Sequence, residues 1–154
     1  MRAAVPAILV FCCLGFSALC LALEITDCGS KDGKFTNVVL TGCDMSKDTC
    51  ELVRNTNASI EIDFSVEKDL AKVTAHVHGI IMDVPIPFPL SKAEACEDEQ
   101  SGLKCPLTKG SSYSYKHVLT VLKSYPKLPV RVKWQLTDEN NEDIVCVLIP
   151  ARIK

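Results

Sequence analysis

Residues 60–67 read IEIDFSVE, with Ile60, Ile62, Phe64 and Val66 alternating against Glu61, Asp63, Ser65 and Glu67. A period of two puts the apolar side chains on one face of an extended chain and the polar ones on the other, the pattern of a strand half buried against a core. Residues 130–137 repeat it, with Val130, Val132, Trp134 and Leu136 against Arg131, Lys133, Gln135 and Thr137. The polar loop Asp138 to Asp143 then leads into IVCVLIP, which reads as the partner strand of a hairpin. KFTNVVL, AKVTAHVHGIIM and SYSYKHVLTVL are further β-rich runs, and no stretch of ten residues carries helical periodicity. About seven strands in one domain, separated by polar turns and without internal repeats, predict an all-β fold: an antiparallel β-sandwich. The cysteine–tryptophan–cysteine spacing of antibody domains is missing, so the expected architecture is Ig-like without the Ig signature.

The first residues are of another kind. A positive start, Met1 and Arg2, precedes an apolar run from Ala3 to about Leu23. Small residues Cys20 and Ala22 stand at −3 and −1 of a cut before Leu23, and no basic cluster follows as it would for a retained anchor. Residues 1–22 are therefore expected to be a cleaved signal peptide and 23–154 the functional domain. Without Arg2 the 17 basic residues become 16 against 19 acidic ones, a net charge of −3, which gives no reason to expect nucleic acid as a partner.

Losing the leader also takes the cysteine count from nine to six: Cys28, Cys43, Cys50, Cys96, Cys105 and Cys146. An even number in a secreted chain reads as a disulfide framework. Six cysteines allow fifteen pairings, and sequence alone does not choose among them. Proximity suggests Cys43–Cys50 and Cys96–Cys105, leaving Cys28–Cys146. No C-x₂-C pair recommends zinc, and no metal or other cofactor is expected.

Several segments together carry a resemblance: DCGSKDGK (27–34), HGIIMDVPIPFPL (78–90), CPLTKGSSYSY (105–115), YPKLPVRVKWQL (125–136) and CVLIP (146–150). In this combination and order they resemble the ML, or lipid-recognition, domain family, in particular its soluble sterol-transfer members of the Niemann-Pick type C kind. The resemblance runs through nearly the whole mature chain. It implies an Ig-like sandwich whose sheets splay to hold a lipid, and the same cysteine pairing that proximity suggests. It implies a non-catalytic carrier of one sterol, secreted or delivered to the endosome and lysosome lumen. The partners it implies are the sterol or a related apolar lipid, transient contact with membranes, and a membrane sterol transporter, with the chain acting as a monomer. Carriage of fatty acids, or a recognition module with a fully packed core, are the alternatives.

The resemblance also nominates residues. The phenylalanine of the PFP motif falls on Phe88, and the valine and tyrosine that follow YSY fall on Val121 and Tyr125, as wall and mouth of a lipid pocket. The alternative for each is an ordinary core position. Pro85, Pro87 and Pro89 cannot donate to a sheet, so their segment is expected at an edge or leaving the sheet, as a stiff apolar lip beside Phe88. His76 and His78 share one face of a strand without an evident third ligand, and His117 stands alone. Charging all three would bring the net charge from −3 to about zero near pH 6.5 and below. Asn57-Ala58-Ser59 is a glycosylation sequon. No motif joins a histidine to a nucleophile, so no catalytic residue is nominated. Two departures from the family pattern, Asp83 at a position usually glycine and the long acidic Cys96–Cys105 loop, are expected near the entrance.

Overall fold

The computed structural model describes residues 22–154; the signal segment expected over 1–22 lies outside the described residues except for Ala22. Nine strands follow one another: β1 (Thr26–Asp27), β2 (Gly33–Thr41), β3 (Cys50–Leu52), β4 (Thr56–Val66), β5 (Thr74–Ile81), β6 (Val84–Phe88), β7 (Ser112–Val121), β8 (Pro129–Thr137) and β9 (Asp143–Ile153). No helix occurs among the described residues. One sheet runs β1-β9-β8-β5-β6, with β3 also against β9; the other is β2-β4-β7. The count exceeds seven because β1 and β3, of two and three residues, are too short to show a period. Every ladder is antiparallel except β3–β9, which is parallel.

The two alternating segments become β4 and β8. Ile60, Ile62, Phe64 and Val66 from one, and Val130, Trp134 and Leu136 from the other, are buried between the sheets. Ile62 lies opposite Tyr115 in β7, and Trp134 opposite Val77 in β5 and Val147 in β9. The sheets thus meet through the faces that the period of two makes apolar.

Disulfides join Cys28 to Cys146, Cys43 to Cys50 and Cys96 to Cys105. The first ties β1 to the middle of β9, where the Cys28 N–H also donates to the Cys146 carbonyl at 3.0 Å. The proline-rich segment forms β6, an edge strand paired only with β5. Only Val84, Ile86 and Phe88 retain an N–H there, so any donor given to β5 comes from these residues. The prolines leave an edge poor in donors, which discourages another strand from adding to it.

The β8–β9 loop is less superficial than its polarity suggests. Asp138 is 2% exposed. Its carboxylate accepts from the backbone N–H groups of Asn140 and Glu142, both at 2.8 Å, and from Lys68 Nζ at 2.7 Å. Lys68 also meets Asp32 at 2.8 Å, so the acidic cluster of Asp32, Asp138 and Glu142 already holds a cation. Burial alone would raise the Asp138 pKa, but Lys68 and the two N–H groups outweigh it and hold the carboxyl at about 2. A carboxylate depressed in the folded state stabilises it above the unfolded pKa, near 4, and that stability is lost as pH falls toward 2. Melting curves should therefore fall between pH 4 and 2, and Asp138→Asn should lower stability at neutral pH while flattening that limb. An unchanged limb in the variant would assign it to other carboxylates.

Candidate functional site

Toward one end of the sandwich the inward side chains become small. Along β8 they run from Leu136 and Trp134 to Val132 and Val130, and along β7 from Tyr115 and His117 to Leu119 and Val121, while β5 contributes Gly79, without a side chain, between Val77 and Ile81. Facing sheets that carry bulk at one end and little at the other cannot close evenly. The result is a cavity of about 470 Å³, reached between the edge strands β6 and β7. That volume lies in the ordinary range of small-ligand sites, roughly 300–1,000 Å³.

Its wall is almost wholly carbon. Val77, Ile81, Val130, Val132 and Ile153 come from the larger sheet, Leu119 and Val121 from the smaller, and Ile86 to Pro89 form the lip. Gly79 belongs to this wall, and a Cβ there would meet Val130 Cγ2 at 3.3 Å, so a side chain would both crowd β8 and shrink the space. Only His78 and Tyr125 among the lining residues carry polar side-chain atoms. The strand period turns His78 outward, toward Lys133. Without convergent titratable groups, the cavity can solvate an apolar molecule and offers no apparatus for bond making.

Phe88, Val121 and Tyr125, nominated by resemblance, all line this space. They come from β6, the end of β7 and the loop after it. The Phe88 and Tyr125 rings meet edge to face, with centroids 5.4 Å apart and planes at 72°. Val121 is 2% exposed. Burial pushes the Tyr125 phenol up, so its hydroxyl stays protonated at neutral pH. The Tyr125 loop is fastened from β4's approach: Arg54 Nη1 donates to the carbonyls of Lys123 at 3.0 Å and Tyr125 at 3.3 Å, and the Asn55 N–H donates to Val121 O at 2.7 Å. Arg54 was not foreseen, because an arginine between short strands carries no sequence signal of what it will hold.

Four expectations need correction. Asp83 does not line the cavity; it sits with Met82 in the β5–β6 turn, both at positive φ, and pairs with Arg131 across the outer surface. The Cys96–Cys105 loop does not line it either, and packs its cysteines and Leu103 against the core. His117 is not isolated but 9% exposed and turned between the sheets. Nor do His78 and His117 charge as readily as an ordinary imidazole. Burial lowers the pKa of His117, with Lys92 opposing the charge and Asp98 favouring it. Burial, then Lys133 and His76, lower that of His78. His76 and His78 do share the outer face of β5, where His76 Nε2 lies 3.1 Å from Thr137 Oγ1.

The family model described as ML domain matches residues 22–153. The chain belongs to the ML domain family. Within that family it is 49% identical over 145 residues to NPC intracellular cholesterol transporter 2 homolog a of Drosophila melanogaster, covering 94% of this chain and 97% of that protein. It is 34% identical over 145 residues to NPC intracellular cholesterol transporter 2 of Bos taurus, covering 94% of each. The crystal structure of a Niemann-Pick type C2 protein from Japanese carpenter ant matches with a TM-score of 0.82 at 39% identity, over 85% of this chain and 99% of that one. The ML sandwich expected from the sequence motifs is the fold observed.

Proposed function

We propose that this ML-domain chain carries one sterol in the cavity between its sheets and hands it to membranes or to a membrane sterol transporter. The observation that carries the proposal is the carbon-lined cavity closed by Phe88 and Tyr125, in a chain whose relatives are named cholesterol transporters. Each 100 Å² of lipid surface taken out of water there contributes about 2.5 kcal/mol. A preformed wall loses little entropy on binding. A recognition module would instead fill this space with side chains.

The carrier acts without catalysis, as a monomer, in a secreted or endosomal and lysosomal setting, after removal of residues 1–22. Contact with membranes is brief and falls on the lip, where Ile86 and Leu122 are exposed apolar side chains at the mouth. Asn57, exposed on β4, leaves room for a glycan.

Native mass spectrometry followed by organic extraction tests the central claim. About one sterol per chain is expected, and a protein that takes up only fatty acids would overturn the sterol assignment. Phe88→Ala removes a ring from the mouth and should weaken sterol binding roughly 10–100-fold, from about 1.5–3 kcal/mol of lost apolar burial. Its stability cost should stay below the 3–5 kcal/mol typical of a packed core phenylalanine, because one side of the ring faces the cavity. Tyr125→Ser should act in the same direction. Wild-type binding in a Phe88→Ala protein that melts far lower would make Phe88 a core residue.

A further inference from the structure

One side of the cavity mouth is held far less firmly than the other. Phe88 belongs to β6, which is laddered to β5 along all five of its residues. Leu122, Tyr125 and Pro126, opposite, come from the loop between β7 and β8. That loop is fixed at its two ends, by the Asn55 N–H on Val121 O at 2.7 Å and the Ile153 N–H on Leu128 O at 3.0 Å. Between them, among the described residues, its only hydrogen bonds to the rest of the chain run from Arg54 Nη1 to the carbonyls of Lys123 and Tyr125. The Tyr125 N–H donates within the loop, to Leu122 O at 3.2 Å. Residues 122–127 are exposed apart from Tyr125, so little packing adds to the hold of Arg54.

Arg54 is itself firmly seated. Its own N–H donates to Lys154 O at 3.0 Å, and the Lys154 N–H donates to Leu52 O at 2.9 Å, which joins its backbone to the end of β9. The side chain is half-buried and forms no ion pair with a carboxylate among the described residues. Its charge is thus committed to the two loop carbonyls, which a planar guanidinium with fixed donors can hold together. The mouth, meanwhile, has to widen for a ligand to pass. The Phe88 and Tyr125 ring centroids are 5.4 Å apart. A flat molecule between two rings needs a carbon contact of about 3.5–4.0 Å on each side, roughly 7–8 Å in all. Strand β6 can move aside only by breaking its ladder to β5, whereas the loop needs only to leave Arg54.

We infer that Arg54 latches the mouth: by holding the Lys123 and Tyr125 carbonyls it keeps Tyr125 against Phe88, and release of these two bonds is the step that admits and discharges the ligand. This rests on the carrier reading above and adds a control of the exchange rate to it. Arg54 does not line the cavity, so it acts through Tyr125 as a positioning residue. The latch is made alike in the empty and the filled protein, so it favours neither and leaves the binding equilibrium where it is. Entry and exit pass through the same open mouth. Loosening the latch therefore speeds both by one factor, as loss of a lid contact does.

Stopped-flow fluorescence of dehydroergosterol tests the latch on the purified protein, with uptake read from a cyclodextrin complex and release read into excess cyclodextrin. Arg54→Met keeps the stem and removes the donors; its uptake and release rates should each rise about tenfold, with Kd within about twofold of wild type. Arg54→Lys, which restores a charged donor without the planar fork, should fall between the two, and it serves alone if the methionine variant does not fold. In hydrogen exchange the Tyr125 amide should lose protection in Arg54→Met while the amides of β5 and β8 keep theirs. Faster release with unchanged uptake, and so weaker binding, would make Arg54 a support of the cavity wall and overturn the latch. Wild-type rates in every folded variant would overturn it too, with sterol carriage left standing. If wild type takes up no dehydroergosterol, the carrier reading falls and the latch with it.

Discussion

Val121→Phe should abolish sterol binding while leaving the protein folded. Val121 is the last residue of β7, 2% exposed, and its side chain lies on the inward face that lines the cavity. The bulky core built from Phe64, Tyr115, Trp134 and Leu136 sits toward the other end of the strands. A larger ring at 121 therefore meets open space, and filling that space adds dispersion contacts where there were none. A sterol is rigid and cannot bend around the intruding ring. Affinity for cholesterol should fall at least about 100-fold, or some 2.7 kcal/mol, while the melting temperature holds or rises. Val121→Ala, which only widens the wall, should stay within about tenfold of wild type. Sterol titration and thermal melting on the three proteins decide the matter. A folded Val121→Phe protein that binds cholesterol at wild-type affinity and stoichiometry would place the sterol elsewhere.

The sequence made the sheets legible more readily than the space between them. Ile60 to Val66 and Val130 to Leu136 announce their inward faces because strand geometry fixes a period of two, and burial follows it residue by residue. That period says which way Val130 and Val132 point, but not whether they meet another side chain or a void. The distinction depends on what stands across from them, and the shrinking side chains along β7 and β8 become meaningful only once registers are known. Phe88, Val121 and Tyr125 were reached through resemblance, since no periodicity marks them as members of one site. The β5–β6 turn was misplaced for a related reason. Asp83 is close in sequence to the lip, but at the far end of a five-residue strand from Phe88, and it pairs with Arg131 on the outer face.

Removing the Cys28–Cys146 bridge should destabilise the protein more than removing either local bridge. The three links close very different lengths of chain: their sequence separations are 118, 7 and 9 residues. A cross-link acts largely on the unfolded ensemble, whose lost freedom grows with the logarithm of the loop. In that account the long loop contributes about 5 kcal/mol and each short one about 2.5. For a domain of this size each kcal/mol moves the melting temperature by roughly 3–5 °C. Cys28→Ala with Cys146→Ala should thus melt about 15–25 °C lower, against roughly 8–13 °C for the paired alanine variants of Cys43–Cys50 or Cys96–Cys105. The native side reinforces the order, because Cys146 is fully buried in β9 and its N–H is held by Ser30 Oγ at 3.0 Å. Binding gives an independent reading. At temperatures where the variant remains folded, β9 still pairs with β8 along nearly its whole length and still presents Ile153 to the cavity, so sterol affinity should stay near wild type. If a local-bridge variant proves as unstable as the long-bridge one, loop entropy is not what these links contribute. If the long-bridge variant loses binding while still folded, the bridge shapes the cavity and does more than restrain the unfolded chain.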